Sequence, residues 1–171
     1  KSRRGDVSFY IPNRASEGYG LNNGALDRLR GEGTSLVVTV DTGITAVEEA
    51  EYMKSIGLDL VVTDHHGCRE ILPDACAVVN PKRHDDEYPF KELAGVGVVF
   101  KTITAVEFLL QEREIFGDGG AGLTYGERYA RMLESGESDF LETVCRDYID
   151  LVAIGTVADV MTLTDENRLI C

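Results

Sequence analysis

Three places in this chain combine residue types that can hold a cation or a phosphate. Asp64-His65-His66 sets a carboxylate beside two imidazoles. Asp41 opens Asp41-Thr42-Gly43 directly after an apolar run, and Asp159 closes Gly155-Thr156-Val157-Ala158-Asp159. Carboxylate oxygen with imidazole nitrogen is a ligand set for a divalent metal ion. Each residue also has a plainer reading. A lone Asp after a strand is commonly a turn or cap residue, paired histidines are commonly surface residues, and Asp159 could be a solvated helix C-cap. Further candidates are Lys82 and Arg83, which could meet phosphate or stand as exposed loop charges. Gly95 and Gly97 open a helix, where backbone N–H groups could face an anion or the glycines could permit close packing. No Ser, Cys and His form a nucleophile–base set.

The elements that must position these residues alternate between strand and helix. Residues 35–40, 59–63 and 75–79 read as strands; the first two are apolar and β-branched on both faces, as buried parallel strands are. Residues 7–11 read as a further strand, closed by Pro12-Asn13. Residues 22–30 form a short helix, with Asn22 or Asn23 as cap and Gly31 as stop. Residues 45–56 form another, with Thr45 and Glu48 as a capping box and Gly57 at its end. A long helix is expected over 95–112, and two more near 127–134 and 139–154. Residues 117–122 are glycine-rich, so 111–138 reads as a loop or insertion, and 161–171 as extended. Strands joined by helical crossovers predict an α/β fold, a mostly parallel sheet with helices on both faces. In such sheets ligands lie beyond the carboxyl ends of the strands. Asp41, the 64–66 triplet and Asn80-Pro81-Lys82-Arg83 all fall there, and neighbouring strands are about 4.8 Å apart.

Composition narrows the partners. The chain has 171 residues, with 17 Lys+Arg against 30 Asp+Glu and a net charge of -13. That balance argues against a basic wrapper that grips nucleic acid by charge alone, but not against phosphate reached through bound cations. Residues 1–30 hold six Lys/Arg against three Asp/Glu, so the negative charge lies beyond them. No run of about 18 apolar residues exists to cross a membrane. Four scattered cysteines without a CxxC point to a reducing compartment, the cytoplasm.

Taken in order, these blocks resemble the DHH phosphoesterase family, named for the triplet at Asp64-His65-His66, and within it the RecJ branch of single-strand-specific exonucleases. The resemblance rests on Tyr10-Ile11-Pro12-Asn13-Arg14 with Glu17-Gly18-Tyr19-Gly20, on Val40-Asp41-Thr42-Gly43-Ile44, and on Val62-Thr63-Asp64-His65-His66. It continues through Val79-Asn80-Pro81-Lys82-Arg83, the Tyr88 to Gly97 block, and Gly155-Thr156-Val157-Ala158-Asp159-Val160. It implies two manganese or magnesium ions, with Asp41 bridging both and His65 and Asp159 as ligands of one. Asp64 would orient an imidazole, and His66 would contact the scissile phosphate. Arg83, Gly95, Gly97 and Arg14 would help hold the nucleic-acid backbone.

The family's first motif, an Asp-x-Asp on the first strand, has no counterpart before residue 7. The chain is therefore expected to be a partial catalytic domain lacking its first strand, able to hold at most one ion and inactive by itself. The activity implied for the parent protein is 5′-to-3′ hydrolysis of single-stranded DNA, with single-strand-binding or helicase partners. Alternatives within the family are enzymes acting on short oligonucleotides or cyclic dinucleotides, and a non-catalytic binding subunit that has lost its metals.

Overall fold

The computed structural model describes residues 5–117, 120, 122–136 and 139–171. Its elements run α1 (Asn23–Gly31), β1 (Leu36–Val40), α2 (Val47–Ser55), β2 (Asp59–Thr63), β3 (Ala77–Val79), α3 (Gly95–Phe116), α4 (Tyr125–Ser135), α5 (Phe140–Ala158) and α6 (Asp165–Ile170). The three strands form one parallel sheet in the order β1-β2-β3. The expected α/β class holds.

Register explains the layers. Val37, Leu60, Val62 and Val78 share one sheet face and pack with Leu26 of α1 and Ala50 and Met53 of α2. Side chains alternate across a strand, so Val38, Val40, Thr63 and Val79 point the other way. There α3 contacts β1 and β2, and its Val98 lines a small cavity with Val79 and Leu93. α5 then packs along α3 through Phe100, Val144 and Val152.

β1 differs from the expectation of a strand buried on both faces. Leu36, Val38 and Val40 are about half exposed. The cause is position: β1 is an edge strand, and among the described residues no strand pairs with its free edge. Residues 7–11 are not a strand either. Val7, Phe9 and Ile11 are 78–90% exposed, because strand propensity without a neighbouring strand forms no ladder.

Three further expectations are corrected. The 111–138 stretch is largely helical among the described residues, since α3 continues to Phe116 and α4 covers Tyr125–Ser135. Thr124 and Glu127 form a reciprocal capping box for α4, and Phe108, Met132 and Phe140 give it a core. Residues 118, 119, 121, 137 and 138 of that stretch lie outside the described ones. The second helix begins at Val47 without a side-chain cap, because residues 43–46 are used in a turn (Ala46 N–H to Gly43 O, 3.0 Å). The expected extended tail contains α6, whose buried Asn167 donates to the carbonyls of Glu92 and Thr162.

Candidate metal centre

β1 and β2 end in register, Val40 beside Thr63, so the next residues, Asp41 and Asp64, leave the sheet side by side. Asp41 has φ 61°, a left-handed conformation that costs roughly 1–2 kcal/mol and that Asp tolerates better than most residues. Two bonds hold it there: Asp41 N–H donates to Thr63 O (3.0 Å), and the Tyr19 hydroxyl donates to Asp41 O (2.7 Å). The turn then passes through Gly43 at φ 105°. A Cβ at Gly43 would lie 2.7 Å from Thr39 Oγ1.

Asp64 is 1% exposed and saturated with donors. Its Oδ1 accepts from the His65 N–H (2.7 Å), the His66 N–H (3.2 Å) and His66 Nδ1 (2.7 Å), and Oδ2 accepts from the Ile44 N–H (2.9 Å). Burial pushes the Asp64 carboxyl up, but the Ile44 and His66 bonds outweigh it and hold it below the usual carboxylate range. An ionised carboxylate only accepts, so His66 Nδ1 carries the proton and Nε2 is the nitrogen left for a ligand. With its lone pairs engaged, Asp64 orients its neighbours rather than presenting an oxygen of its own.

His65 is the inner residue of the pair, 5% exposed. Its Nε2 lies 3.0 Å from Asp41 Oδ1 and 3.3 Å from Asp159 Oδ2. Asp159 arrives from the far end of the sequence as the C-cap of α5. That helix end carries partial negative charge, which adds to the field of the two carboxylates. His65 Nε2 and Asp41 Oδ1 approach to 3.0 Å without the alignment of a hydrogen bond, His65 Nδ1 has no partner either, and all three atoms are buried. Leaving such groups unsatisfied costs about 1–3 kcal/mol each. Burial pushes the Asp41 carboxyl up, His65 opposing and Asp159 reinforcing the shift. A divalent cation among Asp41, His65 and Asp159 would supply the missing partner and offset the repulsion. The donor set therefore fits the metal that the sequence pattern called for.

Glycines set the closeness of the surrounding helices. A Cβ on Gly95, the first residue of α3, would fall 2.3 Å from Asp41 Oδ1, and one on Gly155 of α5 would fall 2.7 Å from Val96 Cγ1. The first turn of α3 is thus pressed against Asp41, and α5 against α3, which brings Asp159 to the site.

The remaining candidates divide. His66 is half exposed beside the centre, its ring 4.5 Å from that of His65. The Arg14 guanidinium stacks 5.1 Å from the Tyr19 ring centroid, and Tyr19 meets His66 edge-on at 6.4 Å. Gly97 is buried against Leu93, a packing role. Arg83 is held by its own loop: Nη1 donates to Val78 O (2.6 Å), and Nε and Nη2 to Asp85 (2.9 and 2.5 Å). Tyr19 received no role from the sequence. Its signal was an aromatic within a Gly-flanked turn, which spacing alone does not connect to Asp41.

Comparison with known proteins identifies the family. The family model described as the DHH family, N-terminal domain, matches residues 1–156. The single-stranded-DNA-specific exonuclease RecJ of Bacillus subtilis is 43% identical over 164 residues, which is 96% of this chain and 16% of that protein. The Escherichia coli protein of the same name is 34% identical over 165 residues, 96% of this chain and 25% of its own length. The chain thus spans between a sixth and a quarter of these relatives. Among solved structures, an exonuclease RecJ bound to manganese superposes with a TM-score of 0.68 at 30% identity, covering 96% of this chain and 34% of that one. A Mn2+ complex of RecJ from Thermus thermophilus gives 0.56 at 28%, covering 85% and 18%.

Proposed function

This chain belongs to the DHH family, and from that premise we propose that it is the metal-binding part of a phosphodiesterase that hydrolyses single-stranded DNA from its 5′ end. The observation that carries the reading is the placement of His65 Nε2 between Asp41 Oδ1 and Asp159 Oδ2, with His66 held alongside by Asp64. The relatives' names supply the substrate and the manganese.

In this reading Asp41, His65 and Asp159 would hold a manganese ion. When bound, such ions lower the pKa of water and offset charge on phosphate oxygens. The chain's own residues do the rest. Asp64 keeps the His66 Nδ1 proton in place, and with a second proton on Nε2 the imidazolium would donate from Nε2 to a non-bridging phosphate oxygen. Arg14, stacked on Tyr19 beside His66, would offer a cation to the strand's backbone. Water adds to phosphorus, the bond from phosphorus to the 3′ oxygen breaks, and a 5′-mononucleotide leaves. Among the described residues no helix is long and apolar enough to cross a membrane. All four cysteines are free, which supports a reducing compartment such as the cytoplasm as its location in this reading.

The test is nuclease assay of the full-length natural protein that carries this chain, on 5′-labelled and 3′-labelled single strands with manganese. We expect label release from the 5′ end first. His66→Ala should lower the rate about 100-fold or more while manganese affinity stays within about twofold. Release from the 3′ end first, or faster turnover of dinucleotides than of long strands, would overturn the proposal.

A further inference from the structure

His66 is half exposed, so packing does not fix its ring; hydrogen bonds must. The ring bonds Asp64, and a bond to the His66 backbone comes from outside the triplet. Asn80, the residue after β3, is 1% exposed. Its Nδ2 donates to His66 O (3.0 Å), and its Oδ1 accepts from the Lys82 N–H (2.8 Å). The amide orientation is settled by its partners, since a carbonyl can only accept and an N–H can only donate. Asn80 O also accepts from the Arg83 N–H (3.2 Å), and Asp64 N–H donates to Val79 O (3.0 Å). The ends of β2 and β3 are therefore joined by a backbone bond and, one step further on, by one buried side chain.

We propose that Asn80 is a positioning residue for His66. It holds the backbone of His66 from one side while Asp64 holds its N–H and ring from the other. The role needs a donor and an acceptor at one side-chain length, which an amide has and a carboxylate lacks. Asn80→Asp separates the two bonds. The acceptor to Lys82 survives, so the turn over 80–83 keeps its support. The donor to His66 is replaced by an oxygen facing a carbonyl oxygen, which frees or tilts the His66 loop. Both side-chain bonds of Asn80 go to His66 and Lys82, and neither reaches Asp41, His65 or Asp159.

The inference rests on the proposed hydrolysis for its rate test, and has one readout that does not. In the full-length protein with manganese, Asn80→Asp should lower kcat about 10- to 100-fold, the range expected when a reacting group is misplaced by about 1 Å. KM for single-stranded DNA, manganese affinity and exchange protection of the Lys82 amide should be unchanged. Unchanged kcat, or a loss explained by weaker manganese binding or by unfolding, would overturn the proposal. The second readout is the His66 Nδ1–H signal by nitrogen-15 NMR on the chain itself. It should be sharp in the wild type and broadened in both Asn80→Asp and Asn80→Ser; an unaltered signal in a folded variant would overturn the role. A wild type without nuclease activity would sink the proposed function, and the NMR comparison would still decide Asn80.

Discussion

Asp64 shows how one buried carboxylate can organise a site without offering a free oxygen. It accepts from three backbone N–H groups and the His66 ring. Hydrogen bonds to a charged group are worth roughly 1.5–3 kcal/mol each, so Asp64→Asn should destabilise the chain by about 3 kcal/mol, read from urea unfolding near pH 7. The pH dependence has a definite sign. The folded carboxyl lies below its usual range, so the folded state binds this proton less readily than the unfolded state. The stabilisation is fully present above the unfolded pKa of about 3.9. It is lost as pH falls through the depressed folded value. The gap between wild type and variant should therefore narrow as pH falls below about 4; a gap that widens on acidification would contradict the assignment. The sequence made Asp41, His65, His66 and Asp159 legible as chemistry because strand ends and a helix end are readable from apolar runs. The roles of Tyr19 and Asn80 were not legible. Both act through backbone carbonyls of other loops, and spacing does not encode such bonds.

At the scale of elements, two glycines decide how near α3 and α5 come to the strand ends. Gly155→Ala would place a methyl 2.7 Å from Val96 Cγ1, an overpacking that typically costs about 1–3 kcal/mol. Gly95→Ala would place one 2.3 Å from Asp41 Oδ1. Urea unfolding should show Gly155→Ala less stable by about that amount. Gly95→Ala should weaken manganese binding by about tenfold or more as Asp41 is displaced, the loss typical when a ligand loses its support; wild-type affinity in that variant would remove α3 from the site's support. The parallel order of β1, β2 and β3 was readable from three apolar runs separated by loops and helices of the right length. The exposure of β1 and the absence of a strand over residues 7–11 were not, because burial depends on which neighbour is present and a strand's own composition does not say. The α4 helix was legible near residues 127–134; its start at Tyr125 rests on the Thr124–Glu127 capping box, which the neighbouring glycines masked. α6 is six residues long, too short for periodicity to register.

At the scale of the whole molecule, charge and metal are linked. A chain of net charge -13 that buries unpartnered acceptors at one edge repels a phosphate backbone until cations enter, and a bound cation reverses the local sign. Binding that favours the folded state must also stabilise it, by about 2.7 kcal/mol at a free concentration about one hundred times Kd. The central claim is that Asp41, His65 and Asp159 converge on one divalent cation. Its most direct test is a titration of the chain with manganese followed by electron paramagnetic resonance, beside His65→Ala and Asp159→Asn. We predict one saturable site in the wild type, lost or weakened by about tenfold or more in both variants while their folds persist by circular dichroism. No saturable site in the wild type, or equal affinity in folded variants, would contradict the account.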